Sequence, residues 1–209
     1  ICTLSNIDLT KQPRISSGFT EFDRVLGGGI VRGAVVLIGG NPGAGKSTLL
    51  LQTVAKLSMQ HKVLYVTGEE SLQQVALRAN RLGLQTQNVK IAAETSIDAI
   101  CQMASTEKPE ILIVDSIQVM HVTGIESAPG SVSQVREAAA ALTQFAKRSS
   151  VSVFMVGHVT KDGTLAGPKI LEHCVDCSVI LEAGSDMRYR TLRCQKNRFG
   201  AVNEIGVFA

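Results

Sequence analysis

Residues 40–47, GNPGAGKS, combine three glycines with a lysine and a serine at the spacing of a phosphate-binding loop. They lie between the apolar run VVLIG and the helical pattern STLLLQTVAKL, which is the strand–loop–helix order that such a loop requires. Glycines let consecutive backbone N–H groups face one anion, and the start of a helix attracts negative charge. The pattern predicts a site for the phosphates of a nucleotide; the alternative is a glycine-rich turn that binds nothing.

Within this loop we expect Lys46 to contact the β- and γ-phosphates of ATP and the Ser47 hydroxyl to ligate Mg²⁺. A second metal ligand should end a neighbouring strand, and Asp115 ends the apolar run ILIVD. An aspartate that only caps the following turn is the alternative reading of Asp115. The other predicted nucleotide-binding residues are Gly40, Asn41, Pro42, Gly43, Ala44, Gly45 and Thr48.

Two carboxylates, Glu69 and Glu70, follow the apolar run VLYVTG at the same predicted edge of the sheet. Hydrolysis of ATP needs a group that orients or deprotonates the attacking water. We predict this catalytic role for Glu69 and keep Glu70 as the second candidate. Glu70 can instead stabilise the N-terminus of the helix predicted from residue 71.

The elements that must position these groups alternate along the chain. Apolar runs at 35–39, 63–68, 111–116 and 151–157 alternate with helical patterns at 47–60, 71–83 and 132–149. This indicates an α/β fold with a mostly parallel central sheet and helices on both faces. Three short runs after residue 176 indicate antiparallel strands that extend one edge. We expect a linker at 1–14 and one core domain at 15–209.

The composition excludes several classes of protein. The formal net charge of +3 is too small for a protein that holds nucleic acid by bulk charge, and no apolar run is long enough for a membrane helix. We therefore expect a cytoplasmic protein with no membrane partner. An odd number of cysteines predicts free thiols. Cys174 and Cys177, next to His173, are a possible metal pair, but no second pair completes a site, and we favour buried structural thiols.

Several motifs together resemble the ATPase core of the bacterial RadA/Sms family of recombination and repair proteins. They are SSGFTEFDRVLGGGIVRG, GGNPGAGKST, VTGEES, ILIVDSIQ, MVGHVTKDG and KNRFG, and they span essentially the whole chain. The resemblance implies a RecA-like P-loop ATPase that forms hexameric rings, binds single-stranded DNA and drives branch migration as a DnaB-like helicase. It also implies branched recombination intermediates and a RecA-type recombinase as partners. The family's zinc ribbon and Lon-like domain do not match this sequence, so no zinc is expected here.

The motif KNRFG comprises Lys196, Asn197, Arg198, Phe199 and Gly200. In RecA-like rings a neighbouring subunit supplies cations that stabilise the leaving phosphates, and we predict this catalytic role in trans for Lys196 and Arg198. Their i, i+2 spacing on a strand directs both side chains to one face, with Asn197 pointing away. We expect Phe199 to pack at the subunit interface and Gly200 to allow a turn. A solvated basic strand end is the alternative.

Two long polar segments, 120–133 and 158–169, follow predicted strands at the edge where such sheets bind ligands. His158 begins the second segment and is predicted to sense the γ-phosphate, unless it is an ordinary hydrogen-bonded core residue. Lys161, Gly163 and Lys169 are predicted to bind DNA phosphates without reading bases, because no aromatic residues separate them. The first segment lacks lysine and arginine and is the weaker candidate.

Two other functions use the same phosphate site. A kinase would transfer the phosphoryl group to an acceptor, and a nucleotide-gated DNA clamp would use ATP only to control assembly. The region between the P-loop and Asp115 contains no compact arginine-rich lid, which argues against the kinase.

Overall fold

The computed structural model of the protein describes residues 1–8, 13–159, 168–184 and 188–209. Its eight strands are Val35–Gly40 (β1), Val63–Thr67 (β2), Val89–Ala93 (β3), Ile111–Asp115 (β4), Ser152–His158 (β5), Cys177–Ala183 (β6), Arg190–Asn197 (β7) and Ile205–Phe208 (β8). Its α-helices are Thr20–Val25 (α1), Lys46–Leu57 (α2), Leu72–Arg81 (α3), Ile97–Glu107 (α4), Val132–Ser149 (α5) and Pro168–Leu171 (α6).

All eight strands form one sheet in the order β3-β2-β4-β5-β1-β6-β7-β8. The strands from β3 to β6 in this order run parallel, while β7 and β8 are antiparallel to their neighbours. The predicted mostly parallel sheet with an antiparallel edge is therefore confirmed. β6 itself is parallel to β1, so the direction first reverses at β7 and reverses again at β8.

Helices cover both faces of the sheet. Side chains of α1, α2 and α3 belong to one apolar cluster, and side chains of α4, α5 and α6 belong to a second cluster on the other face. The central strands β1, β2 and β4 are buried at every position because neither of their faces meets water. This double burial explains why these strands read as continuous apolar runs rather than as alternating patterns.

The parallel strands bring their carboxyl ends to one edge of the sheet, which is named here the carboxyl edge. Gly40, Thr67, Asp115 and His158 end their strands there. The opposite, amino edge holds Val35 at the start of β1. None of the helices among the described ranges is long and apolar enough to cross a membrane.

Candidate functional site

The phosphate-binding loop joins β1 to α2 at the carboxyl edge. Gly43 and Gly45 have φ angles of 78° and 101°, a backbone conformation that residues with a Cβ rarely adopt. A Cβ added to Gly43 would meet nothing within 4 Å, whereas one added to Gly40 would lie 2.4 Å from the Leu181 carbonyl oxygen. Gly40 is thus required by close packing, and Gly43 by backbone conformation alone.

The loop has the features that a phosphate group needs. α2 begins at Lys46 without a side-chain cap, so no side chain of the N-cap residue occupies the N–H groups of its first turn. The loop borders a cleft of about 900 Å³, which is also lined by Val159, Leu181 and Thr191. The described residues therefore fit a nucleotide phosphate chain at this position.

Lys46 is buried, and its ammonium group donates hydrogen bonds to the carbonyl oxygens of Gly40 (2.7 Å) and Asn41 (2.8 Å). Burial lowers the pKa of Lys46 to about 8, although the nearby charges of Asp115 and Glu69 act in the opposite direction. The lysine thus lies within electrostatic reach of both predicted carboxylates.

We expect the affinity for ATP to fall as the pH rises above about 8. A bound phosphate raises the pKa of Lys46, because an opposite charge favours the protonated form, so binding is coupled to protonation above the free-state pKa of about 8. The loss approaches tenfold per pH unit while the free lysine is neutral and the bound lysine is charged. Titrating a fluorescent ATP analogue from about pH 7 to about pH 9.5 measures this slope.

The Lys46→Arg variant is the matched control for this titration, because arginine stays protonated throughout the range. A wild-type affinity that is independent of pH across the same range would contradict the coupling.

Asp115 lies at the end of β4, buried beside the loop. One of its oxygens, Oδ2, accepts a hydrogen bond of 2.6 Å from the hydroxyl of Tyr65 on the neighbouring strand β2. Burial and the Asp115 carboxylate raise the pKa of Tyr65 far above its usual value, so the tyrosine stays protonated and donates to Asp115. Asp115 and Ser47, the two predicted ligands, both offer oxygen atoms, the ligand type that suits Mg²⁺.

Glu69 lies directly after β2, where it is held by two side chains from other elements. Its Oε1 atom accepts hydrogen bonds from the Ser116 hydroxyl and from His158 Nε2, the latter at 3.0 Å. The hydrogen bond from His158 is the main reason that the pKa of Glu69 lies below its ordinary value, although partial burial opposes the shift. Glu69 therefore stays ionised near neutral pH and is oriented by two donors.

Glu70 points in a different direction. Its carboxylate forms an ion pair with the Arg78 guanidinium of α3, and its backbone N–H and C=O both bond to the Thr67 hydroxyl. α3 has its own capping box, in which Ser71 and Gln74 satisfy each other's backbone N–H groups. The Glu70 carboxylate is thus engaged by a side chain in the body of the helix, while Ser71 and Gln74 cap its N-terminus.

Close packing also fixes the chain just before the two glutamates. A Cβ at Gly68 would lie 2.6 Å from the Val119 side chain, so only glycine fits there. Val119 belongs to a single 3-10 turn, Ile117–Val119, that follows β4. The turn and the strand end at Thr67 therefore approach each other closely, which brings Ser116 to Glu69.

Gln118 connects this turn to the second polar segment. Its Nε2 donates a hydrogen bond of 3.0 Å to the backbone oxygen of His158, and its Oε1 is buried without a partner among the described residues. Nδ1 of His158 is also buried without a partner there. His158 is therefore linked by its side chain to Glu69 and by its backbone to Gln118.

The predicted DNA-binding residues are only partly described. Lys161 and Gly163 lie outside the described residues, and Lys169 lies in the short helix α6. The first polar segment is organised by Gln134 of α5, which bonds to the backbone of Val122, Ile125 and Ser127. Gln134 is buried, so it holds the segment against the helix from inside.

KNRFG lies at the amino edge, opposite the phosphate-binding loop of the same chain. β7 runs antiparallel to β6, so Asn197 pairs with Cys177 at the start of β6. Lys196 Nζ donates a hydrogen bond of 2.5 Å to the backbone oxygen of Glu172. Arg198 Nη1 lies 3.0 Å from Asp176 Oδ1, and the Arg198 side chain is 47% exposed.

β7 ends at Asn197, so the strand geometry assumed for the i, i+2 spacing of Lys196 and Arg198 does not extend to Arg198. The Asn197 side chain accepts a hydrogen bond of 2.8 Å from the Phe199 N–H, and this local bond turns the backbone away from the strand direction. Strand alternation therefore does not place Lys196 and Arg198 on one face; separate contacts to Glu172 and Asp176 position them.

A glycine-rich stretch near the N-terminus packs against KNRFG. A Cβ at Gly200 would lie 3.1 Å from the Cα of Gly27, so the two backbones touch. Arg14, the last residue of the predicted linker, donates to the carbonyl oxygens of Phe199 (2.7 Å), Leu26 (3.3 Å) and Gly29 (3.4 Å). Arg14 thus joins both segments, a contact that no local sequence pattern indicated.

All five cysteines are free thiols. Cys177 is buried, in agreement with a structural role, whereas Cys174 is partly exposed. The described part of the chain contains no group of three or more histidine, cysteine, aspartate or glutamate residues that could hold a metal ion.

Comparison with known proteins identifies relatives along the whole chain. The family model described as "AAA domain" matches residues 6–164. The DNA repair protein RadA of Escherichia coli (strain K12) is 66% identical over 206 residues, which are 99% of this chain and 45% of that protein. The DNA repair protein RadA of Bacillus subtilis (strain 168) is 48% identical over 206 residues, covering 98% of this chain and 45% of that protein. This chain thus spans less than half the length of these relatives.

A solved structure supports the fold. The KaiC-like protein PH0186 from Pyrococcus horikoshii OT3 superimposes with a TM-score of 0.75 at 19% identity, covering 95% of this chain and all of that one. The RecA-like α/β fold and the resemblance to the bacterial RadA proteins, both predicted from the motifs, are confirmed. The chain belongs to the AAA domain family.

Proposed function

We propose that this chain is the ATP-hydrolysing core of a DNA repair motor, in which each catalytic site is completed by an adjacent copy. The observation that carries the proposal is the placement of Glu69 beside Lys46 and Asp115, oriented by Ser116 and His158. An ionised carboxylate that is held in place beside a phosphate-binding loop suits the orientation of a water molecule.

The roles of the residues in hydrolysis follow from these positions. Residues 40–48 hold the phosphate chain, with Lys46 neutralising charge on the β- and γ-phosphates. Ser47 and Asp115 would hold Mg²⁺, which would supply positive charge beside the phosphates. Glu69 orients the attacking water as a hydrogen-bond acceptor. Since its pKa lies below the ordinary range, it polarises the water more than it removes a proton from it.

Supply of Lys196 and Arg198 in trans is supported by the topology of the sheet. The two cations lie at the amino edge, whereas their own phosphate-binding loop leaves β1 at the carboxyl edge. A cation supplied in trans, often called a finger, stabilises a phosphate group only if it reaches that group within hydrogen-bond distance. The cations therefore suit the nucleotide of a second copy, as expected for a ring such as a hexamer.

The contacts of the second polar segment support a coupling between hydrolysis and DNA. The segment begins at His158, which bonds to Glu69, and α6 at its other end is followed by Glu172, which bonds to Lys196. Through these contacts, loss of the γ-phosphate would displace both ends of the segment. Lys161, Gly163 and Lys169 would contact the phosphates of single-stranded DNA, making the binding nonspecific and dependent on salt.

The larger assignment rests on the similarity to RadA proteins. We infer roles in homologous recombination and repair, in the manner of a DnaB-like helicase that promotes branch migration on recombination intermediates beside a RecA-type recombinase. A cytoplasmic location belongs to the same proposal.

The test is ATP turnover by the full chain, measured with and without single-stranded DNA at several protein concentrations. We expect stimulation by the DNA and a rate per chain that rises with concentration, because the sites are shared between copies. Full turnover by an isolated protomer would contradict shared sites. Transfer of label from ATP to an acceptor would identify a kinase, and assembly without DNA-stimulated turnover would identify a clamp.

A further inference from the structure

The segment 173–177, HCVDC, holds a buried carboxylate between its two cysteines. Asp176 is only 7% exposed and lies just before β6, at the amino edge of the sheet. A buried carboxylate destabilises the fold unless its oxygens accept hydrogen bonds. Both oxygens of Asp176 do so, and their donors come from two distant parts of the chain.

The first donor fixes Asp176 to the start of β1. Its Oδ2 accepts a hydrogen bond of 2.9 Å from the Val35 N–H, and its own N–H donates to the Val35 carbonyl oxygen, also at 2.9 Å. The second donor is Arg198, whose backbone N–H bonds to the Asp176 carbonyl oxygen at 2.9 Å and whose Nη1 bonds to Oδ1 at 3.0 Å. Asp176 therefore makes two hydrogen bonds to each of these residues.

β1 makes this junction significant. The strand begins at Val35 and ends at Gly40, the first residue of the phosphate-binding loop, and every residue in it is buried. Six residues of extended strand span about 17 Å. One rigid strand thus has the chain's own phosphate site at one end and Arg198 at the other.

We propose that Asp176 is a positioning residue for Arg198: it holds the guanidinium in the orientation that meets the nucleotide of the adjacent copy. This inference rests on the proposed role of Arg198 in trans. A guanidinium is a planar fork with five N–H donors, so a carboxylate that holds Nη1 orients the others. The Arg198 side chain is about half exposed, so a phosphate can approach the part of the guanidinium that Asp176 does not hold.

Asp176 also links two neighbouring catalytic sites. Through Val35 and β1, the orientation of Arg198 is tied to the phosphate-binding loop of its own chain. A displacement of that loop is transmitted by a buried strand, whose packing resists deformation, to the cation that serves the next site.

The test is the Asp176→Asn variant in the full chain. Asparagine keeps an oxygen for the Val35 N–H but removes the charge that holds the guanidinium. We expect kcat for ATP with single-stranded DNA to fall about tenfold to a hundredfold, the effect of misplacing a catalytic group by about 1 Å. KM for ATP should change little, because the variant's own phosphate-binding loop is intact.

Mixed assemblies separate positioning from a general loss of structure. Asp176→Asn mixed with Lys46→Ala should recover activity at interfaces where the intact loop of the first meets the intact cations of the second. A mixture of Asp176→Asn with Arg198→Ala should not recover activity, because neither chain presents a correctly placed Arg198 guanidinium to the adjacent copy. The matched control is Glu107→Gln, which removes the exposed ion pair with Lys90 and should leave kcat unchanged.

The double variant Asp176→Asn with Arg198→Ala should be no slower than Arg198→Ala alone, because Asp176 acts through Arg198. With each rate divided by the folded fraction from circular dichroism, an additive loss in the double variant would overturn the proposal. If Asp176→Asn turns over like wild type while Arg198→Ala is inactive, the positioning role of Asp176 is overturned. The role of Arg198 in trans would stand. Normal turnover by Arg198→Ala would instead overturn the proposed shared site itself.

Discussion

The Arg198→Ala chain is expected to bind ATP with nearly wild-type affinity, but its kcat should fall by a factor of about 10³ to 10⁵, the range for arginine fingers. The reason is geometric. Arg198 lies at the amino edge of the sheet, whereas the phosphate-binding loop of its own chain lies at the carboxyl edge. Its guanidinium stabilises charge that develops only in the transition state, so its loss reduces kcat rather than affinity. Nucleotide titration and steady-state turnover on the same preparation give the two quantities.

The Lys196→Ala chain is expected to behave similarly, with a smaller loss, because a lysine is a single point charge without the planar fork of arginine. Its ammonium also bonds to the carbonyl oxygen of Glu172, which follows α6, so the chain just beyond the second polar segment should loosen. Reduced stimulation by single-stranded DNA is therefore an additional expectation for Lys196→Ala.

Mixing each finger variant with a Lys46→Ala chain tests whether the cations act between copies. The Lys46→Ala chain cannot hold phosphates well but has both cations, and the finger variant has the reverse defects. Some interfaces in the mixture combine intact halves, so part of the activity should return. Arg193→Ala, which removes an exposed arginine from the same strand, is the control and should turn over normally. A mixture as inactive as its components would count against supply in trans.

The sequence predicted the central strands and the phosphate-binding loop because their signals are local. β1, β2 and β4 are buried on both faces, so each is a continuous apolar run that needs no knowledge of its partners. By contrast, β3 at the edge of the sheet is half-exposed and mixed in composition, and it was missed together with α4, which follows it. Edge strands bury too little apolar surface to leave such a pattern.

The candidate site was only partly predictable for a related reason. Lys46, Asp115 and Glu69 each follow an apolar run, so their approach at the carboxyl edge follows from parallel pairing. The hydrogen bonds from Tyr65 to Asp115 and from Ser116 to Glu69 help to orient these carboxylates, and no spacing rule selects either donor. Contacts such as that of Arg14 with Phe199, far apart in sequence, depend on where the chain runs after β7.

The Glu69→Gln chain is expected to bind ATP and assemble normally while its turnover falls by about 10² to 10⁴, the usual contribution of a positioned acid–base group. Glutamine has the same shape and can still accept hydrogen bonds from Ser116 and His158, so the local structure should persist. The negative charge that polarises water is lost. Single-turnover hydrolysis with prebound ATP measures the chemical step directly.

The Glu70→Gln chain is the comparison that decides between the two glutamates. The Glu70 carboxylate is paired with Arg78 on α3 rather than with groups around the phosphate site, so its neutralisation should cost about 1 kcal/mol of stability or less and leave turnover near wild type. A larger loss of turnover in Glu70→Gln than in Glu69→Gln would assign the water to Glu70. In that case the bonds from Ser116 and His158 to Glu69 would serve only to hold the start of the second polar segment, and hydrolysis would be coupled to DNA through α3 instead.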